Sequence, residues 1–94
     1  MSKIINQTPK ELFLKAFGRF IQRKRIAKGL SRKELAVRSN SYAKKIARIE
    51  ESRFDLKISG LIELAQGLDI RMRELFDFEI PPEFFEDYWK AGGS

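Results

Sequence analysis

The residues most open to chemistry with a partner lie between positions 42 and 51, where Lys44, Lys45 and Arg48 share one short segment. On a wheel of about 100° per residue, Ile46 and Ile49 define the buried side of a helix here, with Tyr42 and Ala43 near it. Lys44 and Arg48 fall on the opposite side, and Lys45 on the flank. Two cations one turn apart repel by a few tenths of a kcal/mol, so a helix that keeps them is matched to an anion. Other chemistries have little to work with. Histidine and cysteine are absent, there is no glycine-rich phosphate loop, and no residue cluster has metal-ligand spacing. Neither a metal nor another cofactor is expected. Glu83, Glu86 and Asp87 read better as a solvated face than as an acid–base set, which makes catalysis the least expected class.

The elements that must position these cations follow from capping signals and periodicity. Thr8-Pro9-Lys10-Glu11 opens a first helix, with Thr8 as N-cap, Pro9 at the first helical position and Glu11 closing a capping box. Phe13, Phe17, Phe20 and Ile21 mark its buried face, and Gly29 stops it as a C′ glycine. Arg23, Lys24, Arg25 and Lys28 near its end suit the negative end of the helix dipole. Ser31 with Glu34 forms a second capping box that opens the next helix. The cluster Ser39-Asn40-Ser41 is a turn, because these short polar side chains compete with helical backbone bonding. The cationic helix, expected from Tyr42 to Glu51, follows. Ile58, Leu61, Ile62, Ala65 and Leu68 make a fourth helical stripe, and Met72 to Phe76 a short fifth helix with Leu75 and Phe76 inward. No stretch keeps strand alternation, so the expected class is all-α: a five-helix bundle in which helices 2 and 3 form a helix-turn-helix.

Ninety-four residues suit one small domain. The expected organisation is a flexible arm over residues 1–8, a domain over 9–78, and a C-terminal extension over 79–94 set off by Ile80-Pro81-Pro82. Phe84, Phe85, Tyr88 and Trp89 in that extension either fold back over the fifth helix or meet a second subunit, where aromatics are favoured; dimer contact is the expectation. Charge divides sharply. Residues 1–53 hold 15 Lys/Arg against 4 Asp/Glu, a net of +11, whereas residues 54–94 hold 4 against 9, a net of −5. A basic half joined to an acidic half points to a polyanion-facing surface, with a solvated charge excess as the plainer alternative. No apolar run approaches the roughly 18 residues of a membrane span, and the N-terminus lacks a signal-peptide core, so a cytoplasmic chain with no membrane partner is expected.

Taken in order, Lys24-Arg25-Ile26, Gly29-Leu30-Ser31, Glu34-Leu35-Ala36, Ile46, Ile49-Glu50, Leu61, Leu64-Ala65, Leu68 and Leu75-Phe76 resemble the phage-repressor (XRE) class of helix-turn-helix DNA-binding domains. The resemblance covers residues 17–76 without a gap. It implies a homodimer on a palindromic operator in double-stranded DNA, with residues 42–51 as the recognition helix. Carried over position by position, it places Tyr42, Ala43, Lys44, Lys45 and Arg48 at base-facing positions. It places Arg32, where the class usually has Gln, at the DNA backbone, and makes Arg25 and Glu50 a structural ion pair. The wheel agrees on the last point, since Glu50 turns toward the apolar side, where an unpaired carboxylate is costly.

Three departures bear on the site. Ser39 and Ser41 stand at positions that are commonly apolar, which shifts the packing of the two central helices toward Tyr42. Ser52 stands where many members have glycine. Glu51 can pair with Arg48 at i+3, which would hold that side chain away from a base. The Ser39-Asn40 turn and Asp55-Leu56-x-Ile58 are similar to restriction–modification controller proteins within the class.

The expected function is therefore sequence-specific, DNA-binding transcriptional regulation, as a repressor or autoregulator. Lys44 and Arg48 match guanine O6 and N7, Ala43 matches a thymine methyl, and Ser31, Arg32, Lys45 and Arg53 match phosphates. The alternative is a protein-interaction module, such as an antitoxin-like partner acting through the acidic aromatic tail.

Overall fold

The computed structural model describes residues 8–53, 55–80 and 82. Among the described residues four α-helices are delimited, in order α1 Pro9–Ala27, α2 Arg32–Arg38, α3 Ala43–Glu50 and α4 Ile58–Leu68. No strand occurs among the described residues. The expected fifth helix, Met72–Phe76, is a 3-10 turn. Its backbone makes short-range bonds, Glu74 N–H to the Arg71 carbonyl and Asp77 N–H to the Glu74 carbonyl. Five residues are too few to offset the cost of nucleating an α-helix, and a 3-10 turn is the usual outcome at that length. Residues 1–7 of the arm and all of the extension but residues 79, 80 and 82 lie outside the described residues, as do Phe84, Phe85, Tyr88 and Trp89. No described helix is long and apolar enough to cross a membrane.

Local chemistry sets both ends of the early helices. The Glu11 amide donates to Thr8 Oγ1 at 3.1 Å, while the Thr8 amide donates to the Glu11 carboxylate at 2.9 Å. Ser31 and Glu34 repeat the arrangement at 3.0 and 2.8 Å. Each box satisfies two amides that a helix start leaves unpaired.

The four helices stop in one way. Gly29, Asn40, Ser52 and Asp69 each have positive φ, at 72°, 54°, 66° and 57°. After each helix the amide of that residue and the amide of the next turn back onto two carbonyls of the last turn: Ile26 and Arg25, Val37 and Ala36, Ile49 and Arg48, Gln66 and Ala65. This is the paired bonding of a Schellman end. Glycine takes the left-handed conformation freely, and Asn and Asp tolerate it; serine has neither advantage.

The core is drawn from every helix. Phe17, Phe20 and Ile21 of α1 meet Leu35 and Ala36 of α2, Ile46 and Ile49 of α3, and Leu64, Ala65 and Leu68 of α4, with Leu75 from the turn. Full burial of each large side chain contributes about 1.5–3 kcal/mol. Phe78 closes the far side, its ring 5.4, 6.2 and 5.5 Å from those of Phe13, Phe17 and Phe20. Gly18 lets α1 and α3 touch, because a Cβ there would lie 2.5 Å from the Ile49 carbonyl oxygen and 2.8 Å from that of Glu50.

Several expected packing positions differ. Tyr42 is the extended N-cap of α3 and is 58% exposed, and Ala43 is exposed as well. The left-handed Asn40 turns the chain so that Tyr42 precedes the helix instead of packing beneath it. The α2–α4 junction relies on small residues instead. Ser39 is buried, its hydroxyl donates to the Leu35 carbonyl at 2.7 Å, and a Cβ on Gly67 would fall 2.8 Å from Ser39 Cβ. In α4 the buried stripe is Leu64, Ala65 and Leu68 with Leu61 beside it, which turns Ile58 and Ile62 outward at 67% and 43% exposure. Phe76 is also partly outward, although its ring lies 5.9 Å from that of Phe17.

The helix ends give a direct stability test. Replacing the left-handed Ser52 by glycine should stabilise the chain by about 1 kcal/mol. That corresponds to a thermal midpoint raised by roughly 4–8 °C for a domain of this size, measured by circular dichroism.

Candidate nucleic-acid interface

The exposed side of α3 and the start of α2 gather the cations. Lys44 and Arg48 are exposed four residues apart on α3, and Tyr42 and Ala43 are exposed at its N-terminus. The pairing open to Glu51 and Arg48 at i+3 does not form. Glu51 lies 3.7 Å from Arg53 instead, both of them exposed, so Arg48 has no ion pair among the described residues. Lys45 is half-buried on the flank and lines a cleft with Leu56, Gly60 and Glu63 on the α4 side. Arg53 lies just past the end of α3, its amide bonded to the Arg48 carbonyl at 2.8 Å.

The charge on α3 runs against its own dipole. Lys44 and Lys45 fall in the first turn, where the helix end is already positive, no acidic residue is present, and Tyr42 provides no side-chain cap. Cations at that end are unfavourable by up to about 1 kcal/mol at an exposed site, and an external anion would remove the penalty.

Beneath this surface lies an ion network. Arg25 Nε donates to Glu50 Oε2 at 2.6 Å, Arg25 Nη2 to Glu50 Oε1 at 3.2 Å, and Arg25 Nη1 to the Leu30 carbonyl at 2.8 Å. The resemblance implied that pairing. It did not imply the third member: Arg32 Nε donates to Glu50 Oε1 at 3.0 Å. Arg32 is the first residue of α2 and Glu50 the last of α3, so the contact straps the two helices of the motif together. Arg32 was expected at a phosphate, and the structure brings it to Glu50. Beside it, the Ser31 hydroxyl oxygen accepts from the Glu34 amide at 3.0 Å, a bond that does not use its O–H donor. Across the motif, Arg38 Nε donates to the Gly67 carbonyl at 2.7 Å, fixing α2 to the end of α4. Neither arginine contact carries a sequence signal, since the partners are 18 and 29 residues apart and one acceptor is a backbone oxygen.

No group of His, Cys, Asp or Glu among the described residues could hold a metal. The arrangement is suited to binding an extended anion through donors held on rigid helices.

No protein-family model matches the sequence, and no curated protein is significantly similar to it. Solved structures are. The restriction–modification controller protein C.AhdI from Aeromonas hydrophila is 33% identical, with 70% of this chain and 96% of that one aligned at a TM-score of 0.68. The restriction–modification controller protein C.Esp1396I is 24% identical over 83% of this chain and 95% of that one, at a TM-score of 0.64. A hypothetical transcription factor, NHTF from Neisseria, is 20% identical over 81% and 84%, also at 0.64. At these last two identities the likeness speaks for the fold alone.

Removing Arg25 should expose the strength of the network. Arg25→Met leaves a buried carboxylate with only Arg32, and should cost about 3 kcal/mol or slightly more. Replacing both partners, Arg25→Met with Glu50→Leu, should recover most of that loss, since a well-packed apolar pair rivals a buried ion pair. Urea unfolding of both variants measures the difference.

Proposed function

The chain belongs to the phage-repressor (XRE) type of helix-turn-helix regulators, and on that premise we propose that it is a sequence-specific, DNA-binding transcriptional regulator that acts as a homodimer in the cytoplasm. The observation that carries the proposal is the exposed face of α3. There Lys44 and Arg48 stand outward, and the first turn holds two lysines and no acidic residue. The controller-protein likeness at 33% identity over nearly the whole of that relative supports the same reading.

In this reading α3 enters the major groove. Lys44 and Arg48 offer donors to guanine O6 and N7, which present paired acceptors to a cationic side chain. Ala43 abuts a thymine methyl, and the exposed Tyr42 lies beside it at the helix entrance. Ser31, Arg32, Lys45 and Arg53 meet phosphates, which fix register without reading sequence. A two-fold dimer sets two such helices about 34 Å apart, one turn of DNA, on a palindromic operator. Dimer contact is assigned to Phe84, Phe85, Tyr88 and Trp89 of the extension, and the outward Ile58 and Ile62 of α4 offer further apolar surface to a second copy. Repression or autoregulation follows if the bound dimer covers a promoter.

Two measurements test the reading. Arg48→Ala should cost roughly 1–3 kcal/mol on the selected site and little on random DNA, whereas Lys45→Ala should weaken binding to all DNA and lower the salt slope by about one. Equal losses at both kinds of site for Arg48→Ala would remove it as a base reader. Truncation after Ile80 should abolish the dimer and operator binding together, as read by light scattering and gel shift. Survival of both would assign the acidic aromatic tail to a different protein partner.

A further inference from the structure

The Arg25–Glu50–Arg32 cluster holds two guanidiniums and one carboxylate, so a single positive charge is left over. Arginine stays protonated in proteins, and the excess therefore has to reside on one of the two. Arg25 is engaged inward: Nε, Nη1 and Nη2 each have an acceptor inside the fold. Its grip on Glu50 uses both carboxylate oxygens, which is enough to neutralise a side chain only 1% exposed. Arg32 is the opposite case. Its side chain is 38% exposed, it bonds Glu50 through Nε alone, and its Nη nitrogens have no acceptor among the described residues. Glu50 has no need of a second cation, yet it orders one at the protein surface, at the N-terminus of α2 beside the recognition helix.

We propose that Glu50 is a positioning residue for DNA binding: its buried carboxylate holds Arg32 by the Nε edge, so that the Nη nitrogens are already aimed when a backbone phosphate diester arrives. The proposal rests on the DNA-binding reading above and deepens it. A guanidinium is a rigid planar fork, so fixing one edge fixes the direction of the other. Without the tether, Arg32 would search several rotamers and lose that freedom on binding; with it, the ordering is complete in the free protein. The bond also ties the first residue of α2 to the last of α3, so the phosphate grip and the recognition helix are held at one fixed offset. A lysine at position 32 would keep the charge and lose the fork.

The test compares wild type, Arg32→Ala, Arg32→Lys and Glu50→Gln on one selected duplex and one random duplex across a salt series. Melting curves identify the variants that remain folded. Arg32→Ala should lose about tenfold in affinity, equally on both duplexes, with the salt slope reduced by about one. Arg32→Lys should restore the slope but leave most of the affinity loss. Glu50→Gln replaces one acceptor by an NH2 donor and removes the charge that draws Arg32, so the tether weakens in either amide orientation and this variant should shift toward the behaviour of Arg32→Lys. Added to Arg32→Ala, it should cost no further affinity, the sign of a coupled pair. Full rescue by Arg32→Lys overturns the positioning role, and does so even if Glu50→Gln fails to fold. An unchanged slope in Arg32→Ala, with Arg48→Ala still losing only the selected site, overturns the inference and leaves the function standing. Absence of salt-dependent binding by the wild type overturns both.

Discussion

A buried carboxylate at the end of the third helix is the constraint around which this small fold is arranged. Glu50 is almost wholly out of water, and an uncompensated charge there would cost several kcal/mol. Its need for partners dictates that α1 end near α3 with Arg25 in reach, and that the α1–α2 connection bring the Leu30 carbonyl back to the same guanidinium. Gly18 permits the required approach, since α3 lies against α1 with no room for even a methyl group between them. Helix α3 is therefore located by ionic bonds at its last residue and by Ile46 and Ile49 along its length, which leaves its outer face open to a partner.

The helix ends show a second economy. Left-handed residues close all four helices by the same two backbone bonds, although only the first of them is glycine. Each connection is consequently short and directed, and the left-handed Asn40 sets the turn from α2 into α3. Small residues at Ser39 and Gly67 then let α4 close over the turn. A side chain larger than serine at position 39 would have to displace α4.

Much of this was legible in the residues. The capping boxes at Thr8 and Ser31, the glycine stop at Gly29 and the outward placement of Lys44 and Arg48 all follow from local chemistry and helical period. The resemblance supplied the Arg25–Glu50 pairing, because the two positions match a known pattern. What was not legible depended on tertiary geometry. Tyr42 sat near the apolar side of an ideal wheel, yet one left-handed residue upstream placed it outside the helix. Ile58 and Ile62 fitted a helical stripe as well as Leu64 did, and only the packing partners of α4 decide which stripe is buried. Phe78 lies past the last regular element, where periodicity has no purchase, yet its ring touches three aromatics of α1. Arg32 looked like a surface cation because its partner is on a different helix.

The lysines in the first turn of α3 set stability and recognition against each other. In the free protein they oppose the helix dipole, so a variant with acid at Lys44 would make a sturdier helix and a poorer ligand for a polyanion. The free chain is then the less stable form, and any bound polyanion raises its unfolding free energy by mass action. A thermal midpoint measured without DNA consequently understates the durability of the chain in its working complex, and the shortfall should narrow as salt screens the lysines.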